Sequence, residues 1–468
     1  MENFQSSKNN SVGNGENNPV LCRWAEIVAD RGAEIAVLAC DGGALRTFDE
    51  VESESREMAE YFLEVPPGRI VSCQIGNSPA FPAFILAAWR AGCGVLLLDK
   101  DHTPARRERL EELSGAVFRL EPSGIVRLGG GISDLESPVA ADLLKVTSGS
   151  TGEPRTIRFS AAQLLADADA ICETMGLGET DINYGAIAFS HSYGFSNLIT
   201  PLLGRGISLV AAGDMMPRAV VDGLLASRAT VFAGVPALFR LLGELTPPDL
   251  ALRLCISAGA PLTPEIAEGF HRTWGRKIHS FYGASECGGM CYDTTEEPVP
   301  PRGFVGTPLR GVTLERQEDG SITIRSAAVG LGYFPPGMDD PLQGGVFAPS
   351  DLLEWNGAGY VIKGRVSDVI NVGGRKVNPA EIERVIQKLP GVREVVVLSL
   401  SSHLRGEEVA ACVAGEVAED LLRQHCGQHL PAWQVPRHWF IWVEIPVNSR
   451  GKISRADLRT RLLESQAR

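Results

Sequence analysis

Apolar runs of strand length alternate with segments of helix length along the first part of the chain. The run at 69–75 predicts a buried strand, 78–91 an apolar helix closed by Gly92, and 95–98 the next strand. A β–helix–β order of this kind predicts parallel strands covered by helices. The same order returns later, with further strands expected at 207–212, 230–233 and 252–257.

The pattern changes twice after residue 303. Up to 360, short apolar runs such as 321–325 are separated by Gly, Pro and Asp, which predicts a smaller β-rich subregion. Beyond Arg365, Asn378-Pro379 predicts a helix start, with Pro at the first helical position, and the helix is expected to reach about residue 389. Further strands are expected at 394–400, 409–413 and 439–443, and further helices at 418–429 and 454–463.

These patterns predict an α/β protein with two domains. A large N-terminal domain, 20–364, is expected to hold mixed, largely parallel sheets with a β-rich subregion, and a small α+β domain is expected at 365–468. The length of 468 residues agrees with more than one hydrophobic core. Residues 1–19 are rich in Asn, Ser and Gly and contain no apolar run, so we expect a disordered tail.

Charge and cysteine content narrow the function classes. The formal net charge of −13 argues against broad nucleic-acid binding, which needs cations that neutralise phosphates. The ten cysteines are scattered, which favours a reducing, cytoplasmic compartment, and Cys287 and Cys291 lack the spacing and the second pair of a zinc site. The apolar runs are strand-length, so no membrane span is expected.

The segment 146–155, V-T-S-G-S-T-G-E-P-R, follows an apolar strand-like run. Small and hydroxylated residues allow backbone N–H groups to approach phosphate oxygens, and Arg155 adds positive charge. The segment is not a Walker A loop, because it lacks the G-K-[ST] ending and Pro154 blocks the helix that would follow. Taken alone, it is equally compatible with a flexible Gly/Ser turn.

Three further segments carry groups suited to a nucleotide site. In S-F-Y-G-A-S-E, at 280–286, Tyr282 offers a flat face for a purine and Glu286 a carboxylate for Mg²⁺. Asp351 is an acidic acceptor suited to ribose hydroxyls. Arg365 lies where the β-rich pattern of short segments gives way to the α+β pattern of the C-terminal part. Near the C-terminus, a Gly-Lys turn presents the ammonium of Lys452. Each segment by itself has an ordinary structural explanation.

The order and spacing of these four segments resemble the adenylate-forming superfamily, which includes acyl- and aryl-CoA ligases, peptide adenylation domains and beetle luciferases. The resemblance runs from about residue 23 to 463. Supporting matches are F-S-H-S-Y-G at 189–194, G-V-P at 234–236, S-A-G-A-P-L at 257–262 and G-F-V-G-T-P-L at 303–309. So many motifs in one order make chance a poor explanation.

The resemblance implies roles for particular residues. ATP phosphates would be held by Thr147, Ser148, Gly149, Ser150, Thr151 and Gly152. Gly259, Ala260 and Pro261 would line the adenine, with Tyr282 stacked on it, and Gly283 and Ala284 would also bind the nucleotide. Asp351 and Arg365 would contact the ribose. Ser285 would touch the α-phosphate or the acyl group, Glu286 would bind Mg²⁺, and Lys452 would bridge the acid and the α-phosphate. His191 resembles the family's gate residue near the acyl carbonyl; the alternative is a packed core histidine.

The implied reaction has two halves. A small-molecule carboxylic acid attacks the α-phosphate of ATP and pyrophosphate leaves; a thiol then attacks the acyl-adenylate and AMP leaves. Between them the C-terminal domain would rotate about a hinge at Ser367, which would remove Lys452 and bring Gly373 and Gly374 towards a thiol tunnel. Two positions depart from the family pattern: Arg155 stands where Lys is usual, and Ser367 where Asp or Lys is usual.

The sequence is compatible with more than one thiol acceptor and with more than one class of carboxylic acid. Coenzyme A is the first choice because no carrier domain is attached, and an acyl carrier protein's phosphopantetheine is the close alternative. A luciferase-like oxygenase is a weaker possibility, and a non-catalytic, nucleotide-binding regulatory protein on the same fold is an alternative of another class. Residues expected to line the acid pocket are His191, Tyr193, Asn197, Ala258, Gly259 and Gly283. Tyr193 and Asn197 add polarity, which favours an aryl or functionalised acid.

Overall fold

The computed structural model divides into two compact units. It describes residues 17–128, 141–147, 155–213, 215–317, 321–336, 342, 344–365, 368, 370–372, 375–402, 406–447, 453 and 455–466. Within these residues, the first unit extends to Glu315 and also includes 323–348 and 356–360. The second unit takes in 316–322 and 349–355 and all described residues from Val361 onwards.

The first unit contains ten α-helices within the described residues, besides a short 3-10 turn at Glu60–Phe62 and a π-helical segment at Phe195–Ile199. The helices are α1 Pro19–Arg31, α2 Phe48–Ala59, α3 Phe81–Arg90, α4 Pro104–Ser114, α5 Ala161–Met175, α6 Ser192–Gly194, α7 Thr200–Arg205, α8 Pro217–Ser227, α9 Pro236–Leu242 and α10 Pro264–Trp274. Most begin with a proline in the first turn or with a Ser, Thr or Asn cap, as expected for helix starts.

Strands of the first unit are mostly four to six residues long. They are β1 Ile35–Leu38, β2 Ala44–Thr47, β3 Ile70–Cys73, β4 Gly94–Leu97, β5 Ala116–Glu121, β6 Gly124–Arg127, β7 Leu143–Val146, β8 Thr156–Phe159, β9 Ile182–Tyr184, β10 Ser208–Val210, β11 Val231–Gly234, β12 Leu254–Ser257, β13 Ile278–Ala284, β14 Gly288–Tyr292, β15 Phe304–Pro308, β16 Thr313–Arg316, β17 Ile322–Arg325, β18 Gly332–Phe334 and β19 Val346–Phe347.

Two large sheets organise the first unit. In the larger sheet the strand order is β2-β1-β10-β9-β11-β12-β13-β14-β15, and neighbours from β1 to β13 are parallel. In the second sheet the order is β18-β8-β7-β4-β3-β5-β6, with β7, β4, β3 and β5 parallel. Strands β16, β17 and β19 form a small third sheet. The carboxyl ends of parallel strands gather at one edge, where ligands of α/β proteins usually bind.

The apolar periodicity explains which surfaces are buried. Helix α3 is apolar on every side, and every residue from Phe81 to Trp89 is buried. On one face of the larger sheet, Phe239 packs edge-on against Phe232 and Phe270, with ring centroids 5.2 and 5.1 Å apart. Trp274 stacks on Phe270 at 4.8 Å and closes this core. These contacts hold α9 and α10 against β11, β12 and β13.

The second unit is built on one five-stranded sheet. The strands of this sheet are β22 Ile370–Val372, β23 Arg375–Val377, β24 Val392–Ser402, β25 Gly406–Gly415 and β26 His438–Trp442. Strands β20 Asp351–Trp355 and β21 Tyr360–Arg365 pair with each other outside this sheet, and the helices are α11 Pro379–Ile386, α12 Glu419–His429 and α13 Arg455–Gln466. The sheet order is β23-β22-β25-β24, with β26 parallel to β25. Helices α11 and α12 pack on one face and α13 on the other.

The α/β fold class is confirmed, and the predicted elements lie within a few residues of the observed ones. Two helices are shorter than expected: α3 covers Phe81–Arg90 instead of 78–91, and α11 ends at Ile386, where a turn follows, instead of about 389. The domain limits are less simple than one boundary at 365, since residues 349–355 belong to the second unit. Strand β20 is hydrogen-bonded to β21 there, a pairing that composition does not reveal.

Among the described residues, no helix has the length and hydropathy needed to cross a bilayer.

Candidate active site

Several of the expected site residues follow the carboxyl ends of β12 and β13. Gly259, Ala260 and Pro261 lie exposed just beyond β12, and Gly259 has a φ of +83°, which favours glycine. Tyr282, Gly283 and Ala284 form the end of β13, whose neighbour β12 runs parallel to it. A Cβ at Gly283 would lie 2.6 Å from the carbonyl oxygen of Gly288, so the turn excludes larger residues. The strand ends therefore bring the expected adenine-binding residues to one edge of the sheet.

The turn after β13 carries Ser285 and Glu286, and both side chains have partners. The Ser285 hydroxyl lies 3.0 Å from the hydroxyl of Ser192 at the start of α6. The Tyr333 hydroxyl donates to Oε1 of Glu286 at 2.8 Å, and the Gly330 amide donates to the Glu286 carbonyl at 2.8 Å. The half-buried Glu286 carboxylate is the kind of oxygen donor that Mg²⁺ takes in proteins, so it fits the metal expected here.

The base of the expected phosphate loop is closed by hydrogen bonds, although residues 148–154 lie outside the described residues. The backbone amide and the hydroxyl of Thr147 both donate to the Arg155 carbonyl, at 3.0 and 3.1 Å. The Arg155 guanidinium carbon lies 4.4 Å from the ring centroid of Tyr333. Tyr333 therefore contacts both Arg155, at the end of the expected phosphate loop, and Glu286.

His191 is paired with a carboxylate that the sequence analysis did not single out. Its Nε2 lies 2.9 Å from Oδ2 of Asp99, which follows β4. Oδ1 of Asp99 accepts the backbone amide of Asp101 at 2.9 Å. The hydrogen bond with His191, helped by that amide, holds the pKa of Asp99 well below its usual range. This contact places the expected gate residue beside the carboxyl end of a strand in the second sheet.

Two expected pocket residues are engaged by the main chain. The Tyr193 hydroxyl donates to the carbonyls of Ile256 and Gly234, at 3.1 and 3.4 Å, and burial raises the pKa of this phenol. Asn197 is buried in the π-helical segment, and its amide nitrogen donates to the Tyr193 carbonyl at 3.3 Å. Its Oδ1 has no hydrogen-bond partner among the described residues. Asn197, rather than Tyr193, therefore offers an unused polar atom.

Lys145 is a charged residue in the core that the sequence analysis missed. It lies on β7, only 1% exposed, with Nζ 3.4 Å from the Ser196 hydroxyl and 4.6 Å from the ring centroid of Phe159. Burial lowers its pKa, while the carboxylate of Asp167 acts in the opposite direction. A lysine inside an apolar strand directly before V-T-S-G was the available signal.

Ala258 is buried directly after β12, and the other expected residues fall outside the first unit or outside the described part of the chain. Asp351 begins β20 and Arg365 ends β21, both in the second unit. Ser367, Gly373, Gly374 and Lys452 lie outside the described residues. Nearby in the chain, Asp368 is held by Arg455 of α13, whose guanidinium also bonds to Glu383 of α11 at 2.6 Å. The assignments of Asp351, Arg365, Ser367, Gly373, Gly374 and Lys452 stay predictions.

Comparison with known proteins identifies two matching enzyme families and solved structures with the same fold. A family described as AMP-binding enzyme matches residues 133–334, and one described as AMP-binding enzyme C-terminal domain matches 381–452. The solved structure of ATP-bound MatB from Rhodopseudomonas palustris has a TM-score of 0.81 at 22% identity, covering 95% of this chain and 99% of that one. At this identity the likeness shows a shared fold.

Curated relatives are named as ligases of different acids. The chain is 30% identical over 349 residues to anthranilate–CoA ligase of Pseudomonas aeruginosa, covering 69% of this chain and 67% of that protein. It is 28% identical over 335 residues to long-chain-fatty-acid–CoA ligase FadD13 of Mycobacterium tuberculosis, covering 67% of this chain and 66% of the relative. It is also 27% identical over 315 residues to 3,4-dihydroxybenzoate–[aryl-carrier protein] ligase of Bacillus anthracis, covering 67% of this chain and 72% of that protein. The chain belongs to the adenylate-forming, AMP-binding enzyme superfamily.

Proposed function

We propose that the protein uses ATP to convert a carboxylic acid into its acyl-adenylate and then transfers the acyl group to a thiol. The observation that carries this proposal is the cluster at the carboxyl edge of the larger sheet. There Glu286, held by Tyr333, and Ser285, held by Ser192, lie beside the expected adenine segment. Membership of the adenylate-forming superfamily supports the same chemistry.

The first half-reaction is an in-line displacement at phosphorus, and positioning and charge neutralisation dominate such steps. A carboxylate oxygen of the acid bonds to the α-phosphorus, and the bond to the bridging oxygen of pyrophosphate breaks. Bound Mg²⁺ supplies positive charge to the phosphates. In this chain Glu286 would hold that cation, Ser285 would orient the α-phosphate, and Lys452 would neutralise charge as the carboxylate attacks.

The second half-reaction transfers the acyl group to sulfur. The thiol sulfur bonds to the acyl carbon, the bond to the AMP oxygen breaks, and the thiol proton must be taken up. His191, whose Nε2 lies 2.9 Å from Oδ2 of Asp99, precedes Ser192 in the chain, and in this proposal its imidazole would take up that proton. Coenzyme A is the acceptor that we propose. The second candidate is the phosphopantetheine of a carrier protein, because the 3,4-dihydroxybenzoate relative is named as a carrier-protein ligase.

An amino- or hydroxy-substituted aryl acid is the substrate class that we propose. Neither expected polar pocket residue selects it as placed, because the Tyr193 hydroxyl is bonded to two carbonyls and Asn197 is buried, only 2% exposed. The names of the anthranilate and dihydroxybenzoate relatives support this class.

The proposed function is tested by following AMP and pyrophosphate release with a panel of acids, with and without coenzyme A. The panel pairs benzoate with 2-aminobenzoate and 2,3-dihydroxybenzoate, and hexanoate with hexadecanoate. We expect acid-dependent pyrophosphate release, and AMP release that rises when coenzyme A is added. Nucleotide binding with no pyrophosphate release for any acid would instead support a non-catalytic regulatory protein.

Glu286→Ala provides the corresponding test of the site. We expect acid-dependent pyrophosphate release to fall to background at every Mg²⁺ concentration, because the carboxylate that holds the cation is gone. Circular dichroism should show an unchanged fold. Near-normal turnover with wild-type Mg²⁺ dependence would remove Glu286 from the metal site.

A further inference from the structure

Tyr333 holds Glu286 from the edge of the second sheet. Strand β18 pairs with β8, with Tyr333 opposite Ile157. From this strand the phenol hydroxyl donates to Oε1 of Glu286 at 2.8 Å. Three residues earlier, the amide of Gly330 donates to the Glu286 carbonyl at 2.8 Å. Side chain and main chain of Glu286 are therefore both fixed by the segment that leads into β18.

The other contact of Tyr333 reaches the base of the phosphate loop. The Arg155 guanidinium lies over its ring at 4.4 Å from the centroid, within the range of a cation–π contact. Arg155 also closes the loop, because its carbonyl accepts two hydrogen bonds from Thr147. A single aromatic ring therefore connects the end of the loop with the carboxylate.

This arrangement has two chemical consequences. A hydrogen bond to Oε1 limits rotation of the Glu286 carboxylate and leaves Oε2 as the oxygen best placed to ligate a cation. A planar guanidinium over the ring draws electron density from the phenol, which strengthens the hydroxyl as a donor. Lysine, the usual residue at position 155 in this superfamily, has no flat face to stack in this way.

We propose that Tyr333 is a positioning residue that sets the Glu286 carboxylate for the divalent cation of the bound nucleotide, and that Arg155 strengthens this effect from the phosphate loop. This inference rests on the proposed function, since it assumes that Glu286 ligates the cation. Partners that orient a metal ligand typically contribute about 10- to 100-fold to metal affinity or activity.

The test replaces the hydroxyl and leaves the ring. In Tyr333→Phe the stacking surface for Arg155 remains, but the donor to Oε1 is lost. Mn²⁺ serves as the probe: its binding to the full-length protein with α,β-methylene-ATP is followed by electron paramagnetic resonance. We expect about 10- to 100-fold weaker Mn²⁺ binding. The Mg²⁺ concentration for half-maximal adenylation should rise by a similar factor, with kcat at saturating Mg²⁺ largely retained.

Three further variants make the result decisive. Tyr292→Phe removes the hydroxyl of a buried tyrosine that stacks on His279, and it should leave Mn²⁺ binding unchanged. Arg155→Lys keeps the charge and loses the planar contact, so it should weaken Mn²⁺ binding about 2- to 5-fold. That effect should be smaller when Tyr333→Phe is already present, because two groups that act through one contact are not additive.

The outcomes separate this inference from the proposed function. If Glu286→Ala weakens Mn²⁺ binding and Tyr333→Phe does not, the positioning role of Tyr333 is overturned while the metal site stands. If Glu286→Ala binds Mn²⁺ and nucleotide as the wild type does, the metal site itself is wrong. If Tyr333→Phe proves unstable in thermal melts, the Arg155→Lys variant decides: an Mn²⁺ affinity equal to wild type overturns the proposal.

Discussion

At the scale of single residues, the Asp99–His191 pair determines how the expected gate residue is held. Asp99 is mostly buried, with its side chain 19% exposed, and it binds Nε2 of His191. Because the charged carboxylate accepts this bond, the pKa of Asp99 is lowered. A carboxyl group with a lowered pKa in the folded state stabilises the fold at pH values above its ordinary pKa. That contribution is lost as the pH falls below about 4 towards the folded-state pKa.

Asp99→Asn should therefore destabilise the protein at pH 7 and matter less in acid. A hydrogen bond to a charged group contributes about 1.5–3 kcal/mol, and partial exposure of His191 reduces this to about 1–2 kcal/mol. Urea denaturation at pH 7 and pH 3 measures the difference between the variant and the wild type. We expect the difference to shrink at pH 3. Asp101→Asn, an exposed neighbour, is the control, and an equal effect from both variants at pH 7 would contradict this role.

At the scale of elements, the turn from β13 to β14 places Glu286. Gly288, with a φ of +68°, begins β14, and a Cβ there would lie 2.2 Å from Oδ1 of Asp167. The same carboxylate, buried on α5, accepts the Gly289 amide at 2.9 Å. Helix α5 therefore holds the turn through one carboxylate that cannot tolerate a side chain at position 288.

Gly288→Ala should lower stability more than a matched glycine substitution. Gly275 at the end of α10 has a similar φ of +63°, but a Cβ there meets nothing within 4 Å. Gly275→Ala should cost about 1–2 kcal/mol through backbone strain alone. Gly288→Ala should exceed that cost by at least about 1 kcal/mol, because the buried carboxylate must shift as well. Equal costs in thermal or urea unfolding would show that Asp167 does not constrain the turn.

At the scale of the whole molecule, the proposed mechanism requires Lys452 to act in one half-reaction only. Lys452→Ala should slow acyl-adenylate formation by about two to three orders of magnitude, because one preorganised electrostatic donor is lost. Thioester formation from a supplied acyl-adenylate should change far less. Both half-reactions are assayed on the purified variant, with circular dichroism as the folding control. An equal loss in both, or no loss in the first, would remove Lys452 from the mechanism.

The sequence by itself determined the α/β class, the approximate positions of the strands and helices with clear apolar periodicity, and the order of the nucleotide-binding motifs. The reason is local: apolar periodicity, Pro and Gly at element ends, and short motifs such as S-F-Y-G-A-S-E operate within a few residues of the chain. The metal-binding role expected of Glu286 came from the S-F-Y-G-A-S-E motif, whereas its place in the turn after β13 was not predicted.

Only the tertiary structure decided which side chains meet at the site. Asp99 and His191 are 92 positions apart, and Tyr333 reaches Glu286 across 47. Lys145 is buried next to Ser196, 51 positions away, although a lysine is rarely found in a core. Such contacts depend on how two sheets and their helices pack, and no periodicity of the chain encodes them. Tyr193 shows the same limit. Its place in the sequence predicts a polar group for the acid, whereas in the folded chain its hydroxyl bonds to main-chain carbonyls.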